Sequence, residues 1–270
     1  MNGSFFLRAA ASVAFVMLVA ACQSSPPRPA NDAGTQPPAE RQPSPASATE
    51  RARAHTELAA SYLNIGRLAV ALQEADEALK ADPRYVPAHN IVALVYMELR
   101  EDVKAKASFE RALKLDPGDS DVNNSYGLFL CDRKKEKDSI RYFEAALRNP
   151  LYASPHDAAV NAGICSRRIG DEVGALQYFE RALAFRPDDA RALVNLAQLH
   201  HARRQVNLAK SYLTRFMQGT QKPDAATLWL GARLEHALGD RAAVASYGSQ
   251  LKERFPTAPE TQLFLDGRFE

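Results

Sequence analysis

Four prolines, Pro83, Pro117, Pro187 and Pro256, stand at equivalent places of a period near 34 residues, and the first two are 34 apart. A fixed period of this length constrains the fold more than composition does. Each unit is then one supersecondary element that hides its apolar face only against the next copy, so the chain must stack. The sites within the unit carry a size pattern as well. Counting from the start of each copy, sites 8, 20 and 27 take small residues, sites 11 and 24 take aromatics, and site 32 takes proline.

The copy from Ala52 supplies Ala59, Tyr62, Ala71, Ala75, Ala78 and Pro83, and that from Val86 supplies Ala93, Tyr96, Ala105, Phe109, Ala112 and Pro117. The third, from Ser120, has Gly127, Leu130, Ser139, Phe143 and Ala146, with Pro150 one place early. The fourth, from His156, has Gly163, Ser166, Ala175, Phe179, Ala182 and Pro187. The fifth, from Ala190, keeps Ala197 and Ala209 but has Leu213 and Phe216 at sites 24 and 27; the sixth, from Ala225, is weakest in its second half. Six copies cover residues 52–258 with three residues left over, two assigned to the stretch Asn149–Pro155 and one near Pro223. This is the tetratricopeptide pattern. It predicts an all-α, right-handed superhelical solenoid of six helix pairs, with a helix near Pro259–Asp266 in residues 259–270 capping the open end. The 13 glycines are too few for a turn-dense β chain.

Ahead of the repeats lies a different kind of sequence. A single Arg8 precedes a short apolar run, and Val19-Ala20-Ala21-Cys22 follows, the layout of a secretory signal over residues 1–21. The small residues directly before Cys22 resemble the lipobox of bacterial lipoproteins, which implies acylation of Cys22 and anchoring to one leaflet. Gln23 in place of Asp favours the outer membrane, with the body in the periplasm. Ordinary cleavage near Ala21, with Cys22 incidental, is the competing reading. Residues 22–50 are rich in Pro, Ala, Ser, Gln and Thr, lack large apolar side chains and are expected to be a disordered tether. Such a tether reaches on the order of 30 Å as a coil and about 90 Å drawn out.

Binding is expected on the concave face, which first-helix sites 2, 5, 9, 12 and 13 line. Sites 9 and 12 of the first four repeats are Ala60 and Leu63, Leu94 and Met97, Leu128 and Cys131, Ile164 and Arg167, an apolar strip where a solvated wall would be polar. Packing of these side chains on one another or on the tether is the bland alternative. Site 5 holds Thr56, Asn90, Asn124 and Val160, and no Lys joins Asn at sites 5 and 9, which disfavours a clamp for a terminal carboxylate. The later repeats offer Arg191, Gln198, His201, Trp229, Arg233 and His236, suited to a polar or acidic surface. Cys131 and Cys165, 34 apart on adjacent first helices, are predicted to bridge in an oxidising compartment, with two buried free thiols as the other possibility.

Catalytic and nucleic-acid readings lack support. The net charge of +2 offers no broad positive field for nucleic acid. There is no HExxH, glycine-rich phosphate loop, nucleophile elbow or CxxC pair, so neither an enzyme, a cofactor nor a small-molecule substrate is expected. His55 and His89 are expected to be packing residues. His200-His201 and His236 could place two imidazoles on neighbouring helices, but they show no ligand spacing of a zinc site and none is expected.

Three segments carry a narrower likeness: Asn123-Asn-Ser-Tyr-Gly-Leu-Phe-Leu-Cys131, Arg141-Tyr-Phe-Glu-Ala-Ala-Leu-Arg-Asn-Pro-Leu-Tyr152 and Asn161-Ala-Gly-Ile-Cys165. They resemble the type IV pilus biogenesis and stability lipoproteins, the pilotin family, and the Asn-Pro-Leu-Tyr insertion between two Cys-bearing helices is their most specific part. The resemblance implies an outer-membrane lipoprotein that helps pilus secretin subunits localise and multimerise there. Its groove would be lined by Ala60, Leu63, Asn90, Leu94, Met97, Asn124, Leu128 and Ile164. The alternative from another class is a periplasmic scaffold for cell-wall hydrolases or outer-membrane protein assembly.

Overall fold

The computed structural model describes residues 47–269. The signal segment, Cys22 and the tether up to residue 46 lie outside the described residues. Thirteen helices follow one another, with no strand among the described residues. The first three pairs are α1 (Ala48–Asn64) with α2 (Leu68–Ala81), α3 (Val86–Glu98) with α4 (Asp102–Leu115), and α5 (Ser120–Asp132) with α6 (Glu136–Leu147). The next three are α7 (Pro155–Arg168) with α8 (Glu172–Phe185), α9 (Ala190–Ala202) with α10 (Val206–Met217), and α11 (Ala225–Leu238) with α12 (Arg241–Arg254). A final helix, α13 (Pro259–Leu265), closes the array. None of these helices is long and apolar enough to cross a membrane.

The chain punctuates its helices with local chemistry. Asp119, Asp171, Asp189, Asp224 and Asp240 each accept the backbone N–H three residues on, capping α5, α8, α9, α11 and α12. At the other ends, Asp82, Asp116 and Arg186 turn extended at φ near -140° and end α2, α4 and α8. Each precedes a repeat proline, whose ring excludes helical geometry from the residue before it. Between the helices of a pair the backbone enters the left-handed region at one residue. Gly66, Gly170 and Gly239 serve in three pairs, but Arg100, Lys134 and Arg204 do so in the others, at φ 61°, 59° and 58°. A side chain there costs on the order of 1 kcal/mol, which stacking must offset.

The first helix corrects one expected boundary. Helix α1 begins at Ala48, so residues 48–50 are helical and do not belong to the expected tether of residues 22–50. The cause is a capping box: Ser47 Oγ accepts the Glu50 N–H at 3.1 Å, and Glu50 Oε2 accepts the Ser47 N–H at 2.6 Å.

Packing follows the size pattern. Phe109, Phe143 and Phe179 are wholly buried, each in a slot left by small residues such as Ala105, Ala112, Ala146, Ala175 and Ala182. A methyl group added at Gly127 or Gly163 would lie 2.7 Å from Phe143 Cε1 or 2.6 Å from Phe179 Cε1, so no side chain fits there without displacing the ring. The sixth repeat keeps the device in altered form. Gly231, one place ahead of the register, receives the Tyr247 ring, and Gly248 at the usual aromatic site receives Phe264 from α13. The cap is thereby keyed into the last pair, and buried Thr261 donates to the Phe255 carbonyl at 2.6 Å.

Consecutive first helices touch one another from α1 through α3, α5, α7 and α9 to α11, whereas no two second helices do among the described residues. Helices crowded along one side and splayed on the other give a curved stack whose inner wall is the first-helix face. The junction of the third and fourth repeats is reinforced twice. Cys131 and Cys165 are joined by a disulfide across α5 and α7, with Cα atoms 6.0 Å apart. The inserted segment beside it folds back onto α5: Asn149 Nδ2 donates to Ser120 Oγ at 3.1 Å, and buried Tyr152 sits against Asp121 and Asn124.

Candidate functional site

The inner wall divides into an apolar half and a polar half. On α1, α3, α5 and α7, Ala60, Leu63, Leu94, Met97, Leu128 and Ile164 are each partly exposed. Their inward sides rest on the core: Leu94 and Met97 on the cluster around Phe109 and Tyr126, Leu128 on the disulfide and Phe143, Ile164 on the cluster around Phe179. Two-sided burial of this kind holds a side chain in place while leaving apolar surface for a partner.

Several residues expected on the wall do other work. Cys131 is buried in the disulfide at 1% exposure, so in the third repeat the strip stops at Leu128. Val160, expected at the wall in the fourth repeat, is fully buried, and its neighbour Asn161 is buried as well. Asn161 Nδ2 donates to Asn124 Oδ1 at 3.0 Å, joining the two walls, and Asn90 in the second repeat is 8% exposed with a buried, unpartnered Oδ1. Thr56 is turned back on its own helix, donating to the Ala52 carbonyl at 2.7 Å. His55 and His89, expected to pack, are partly exposed and polar in their contacts: His55 Nδ1 lies 2.8 Å from Glu74 Oε2, and His89 Nε2 lies 3.0 Å from the Pro83 carbonyl.

The polar half is arranged around a concavity of 420 Å³ between α7, α9 and α11. Arg167, Gln198, His201, Trp229 and Arg233 line it, with Glu172 at the edge. Arg167 Nη1 donates to Asn195 Oδ1 at 3.0 Å and Gln198 Oε1 at 2.7 Å, and burial with the neighbouring Arg168 lowers its affinity for its proton. Burial, then Arg233 and Arg204, push the His201 imidazole below its ordinary pKa. Glu172 is held by Arg203 Nε at 3.1 Å.

Two residues expected to be free here are already engaged. Arg191 is paired with Asp157 across neighbouring first helices. His236 is stacked under Phe269 with ring centroids 4.2 Å apart, and Phe269 also lies 5.2 Å from Trp229 and 5.9 Å from Phe264. Arg233 Nε donates to the Phe269 carbonyl at 3.3 Å. An aromatic residue just beyond the capping helix was the available signal for this, though its landing place depends on how the cap docks. The three later histidines have separate surroundings. His200 contacts Gln205 at 2.6 Å and stacks on Tyr212, His201 faces the concavity, and His236 meets Phe269. Among the described residues no group of His, Cys, Asp and Glu is placed to hold a metal.

A larger concavity of 1030 Å³ lies among the loops following α8 and α10. Its charges serve the fold: Arg191 pairs with Asp157, Arg215 donates to the Pro187 carbonyl at 2.6 Å, and Asp189 caps α9.

Residues 49–215 match the family model described as tetratricopeptide repeat. The type IV pilus assembly protein PilF of Pseudomonas aeruginosa is 32% identical over 130 residues, which are 46% of this chain and 51% of that protein. The chain thus aligns with about half the length of this curated relative. The crystal structure of PilW, a widely conserved type IV pilus biogenesis factor, superposes with a TM-score of 0.71 at 33% identity, covering 79% of this chain and 98% of that one. The structure of P. aeruginosa PilF gives 0.77 at 29% identity, covering 82% of this chain and 99% of that one. With its helix pairs, its small-residue slots and these matches, the chain belongs to the tetratricopeptide repeat family and is homologous, at modest identity, to PilF and PilW.

Proposed function

We propose that this protein acts in type IV pilus biogenesis as a lipid-anchored adaptor. Its apolar inner wall holds an exposed segment of a pilus secretin subunit, and acyl chains on Cys22 carry the complex to the outer membrane. The observation that carries this reading is the row of partly exposed apolar side chains from Leu63 through Leu94, Met97 and Leu128 to Ile164, in a chain homologous to pilus proteins. A wall of this kind suits a partner that must be shielded from water before it assembles, because capture draws on apolar burial at roughly 25 cal/mol per Å². Several groups with displaced pKa values have structural work, as in an adaptor: Glu50 in a helix cap, Asp102 in an ion pair and Tyr126 as a buried phenol.

The test is a double change, Leu94→Asp with Leu128→Asp, made in the full chain. Capture of the secretin and its multimers should fall with helical content retained, the melting temperature dropping only as far as the lost core contacts of the two side chains require. Normal multimers from a folded double variant would refute the groove. Cys22→Ala should leave the protein unanchored in the periplasm and the secretin multimers reduced or in the wrong membrane. Secretin multimers unchanged by deletion, together with altered wall cross-linking, would favour a scaffold for cell-wall enzymes.

A further inference from the structure

The apolar wall ends at Ile164, and beyond it α7, α9 and α11 present a second surface of different chemistry. Arg167 and Arg233 line the 420 Å³ concavity, and neither has a carboxylate partner among the described residues. Among the described residues the carboxylate at its edge is Glu172, already held by Arg203. Of the other cations nearby, Arg168 is paired with Asp132 and Arg191 with Asp157, while Arg204 adds to the positive field at His201. The floor is apolar, formed by Leu199, Leu230 and the Trp229 ring, each under 9% exposed. Two uncompensated guanidiniums above an apolar floor attract a chain segment that brings carboxylate and apolar groups together.

The protein's own terminal segment shows how this wall receives a chain. Phe269 lies over His236 and beside Trp229, and its backbone carbonyl accepts from Arg233 Nε. Among the described residues, that segment brings one aromatic ring and one carbonyl, and no carboxylate at Arg167. Arg233 keeps its terminal guanidinium nitrogens, and Arg167 contacts only the neutral amides of Asn195 and Gln198.

We propose that the inner wall of the fourth to sixth repeats is a second peptide-binding site, which takes an extended segment of a protein partner carrying an acidic residue beside an apolar one. Its carboxylate pairs with Arg167 and Arg233, and its apolar side chain lies on Trp229 next to the resident Phe269. This site is separate from the apolar wall of the first four repeats and does not depend on the function proposed for it.

The chain contains a single Trp, and it lies in the site, so its emission reports occupancy directly. The probes are the peptides acetyl-Gly-Asp-Phe-Asp-Gly-amide and acetyl-Gly-Lys-Phe-Lys-Gly-amide, titrated into the protein at low salt. The acidic peptide should change the Trp229 emission saturably and the basic one should not, and added salt should weaken the effect. Arg167→Gln and Arg233→Gln, which keep an amide donor and remove the charge, should each lower affinity about tenfold. Each variant's melting curve checks that it is folded. The pair Leu94→Asp, Leu128→Asp should leave this titration unchanged, so failure of the apolar groove and failure of this site are distinguishable. Equal responses to the two peptides, no response to the acidic one, or full affinity in the folded Arg167→Gln, Arg233→Gln double variant would overturn the assignment.

Discussion

Opening the Cys131–Cys165 bridge tests the reasoning about how this array holds together. The bond closes a loop of 34 residues, and a cross-link over that span removes chain entropy from the unfolded state worth about 4 kcal/mol at 25 °C. Its loss is felt at one junction. The bridge joins α5 to α7, Arg168 Nη1 lies 3.4 Å from Cys131 Sγ, and the neighbouring contacts of Asn149 and Tyr152 survive reduction. In a stack whose repeats touch only their neighbours, such a change weakens the central interface and leaves the end pairs intact. Urea unfolding followed by far-UV circular dichroism, with and without a phosphine reductant and for Cys131→Ala with Cys165→Ala, measures it. With a slope of about 2–3 kcal/mol/M, the midpoint should fall by roughly 1–2 M, and the transition should broaden as the two halves decouple. Equal midpoints for oxidised and fully reduced protein, the latter verified by thiol titration, would refute the assignment of stability to this bridge. The result also bears on the compartment, because a protein so dependent on a disulfide is suited to oxidising surroundings.

Gly163→Ala should destabilise by about 1–3 kcal/mol in thermal unfolding, because the new methyl group would sit 2.6 Å from Phe179 Cε1 in a closed core; an unchanged melting temperature would show that the ring can move aside. Lys134→Gly should stabilise by about 1 kcal/mol through relief of its φ of 59°, and chemical denaturation against wild type reads the difference. Tyr126, raised to about 12 chiefly by burial and then by Glu110, should ionise late in a phenolate absorbance titration, but ahead of Tyr152 and Tyr178, which burial pushes up further. The unfolded chain releases that proton near pH 10, so the folded state loses stability as pH rises from about 10 toward 12, and melting temperatures should fall across that window.

The small-residue slots were legible in the sequence because they are repeated: Ala105, Phe109 and Ala112 recur as Ser139, Phe143 and Ala146 at the same 34-residue spacing. The early start of α1 was also written there, as Ser47-Ala-Thr-Glu50, but a Pro-rich neighbourhood drew the boundary later. Other features had no local signal. Arg100, Lys134 and Arg204 are ordinary helix formers by composition, and only the geometry of the pair forces them left-handed. Val160 is withdrawn into the core, and its buried neighbour Asn161 turns to Asn124 across α5 and α7, a pairing between residues 37 apart that no local pattern records. The apolar strip is legible as residue types at a fixed spacing, yet one member, Cys131, is withdrawn into the bridge.

The sequence by itself determined the repeating unit, the helix pair and the places where glycine or alanine must face an aromatic ring, since these depend on contacts within a repeat and with its immediate copy. Which wall residues are open to a partner was decided only by the tertiary structure. Arg191 and Arg233 look alike in the chain, but a neighbouring helix gives one a carboxylate and the segment after α13 gives the other a backbone carbonyl. Charge and exposure at a site are sums over groups distant in sequence, and no period records them.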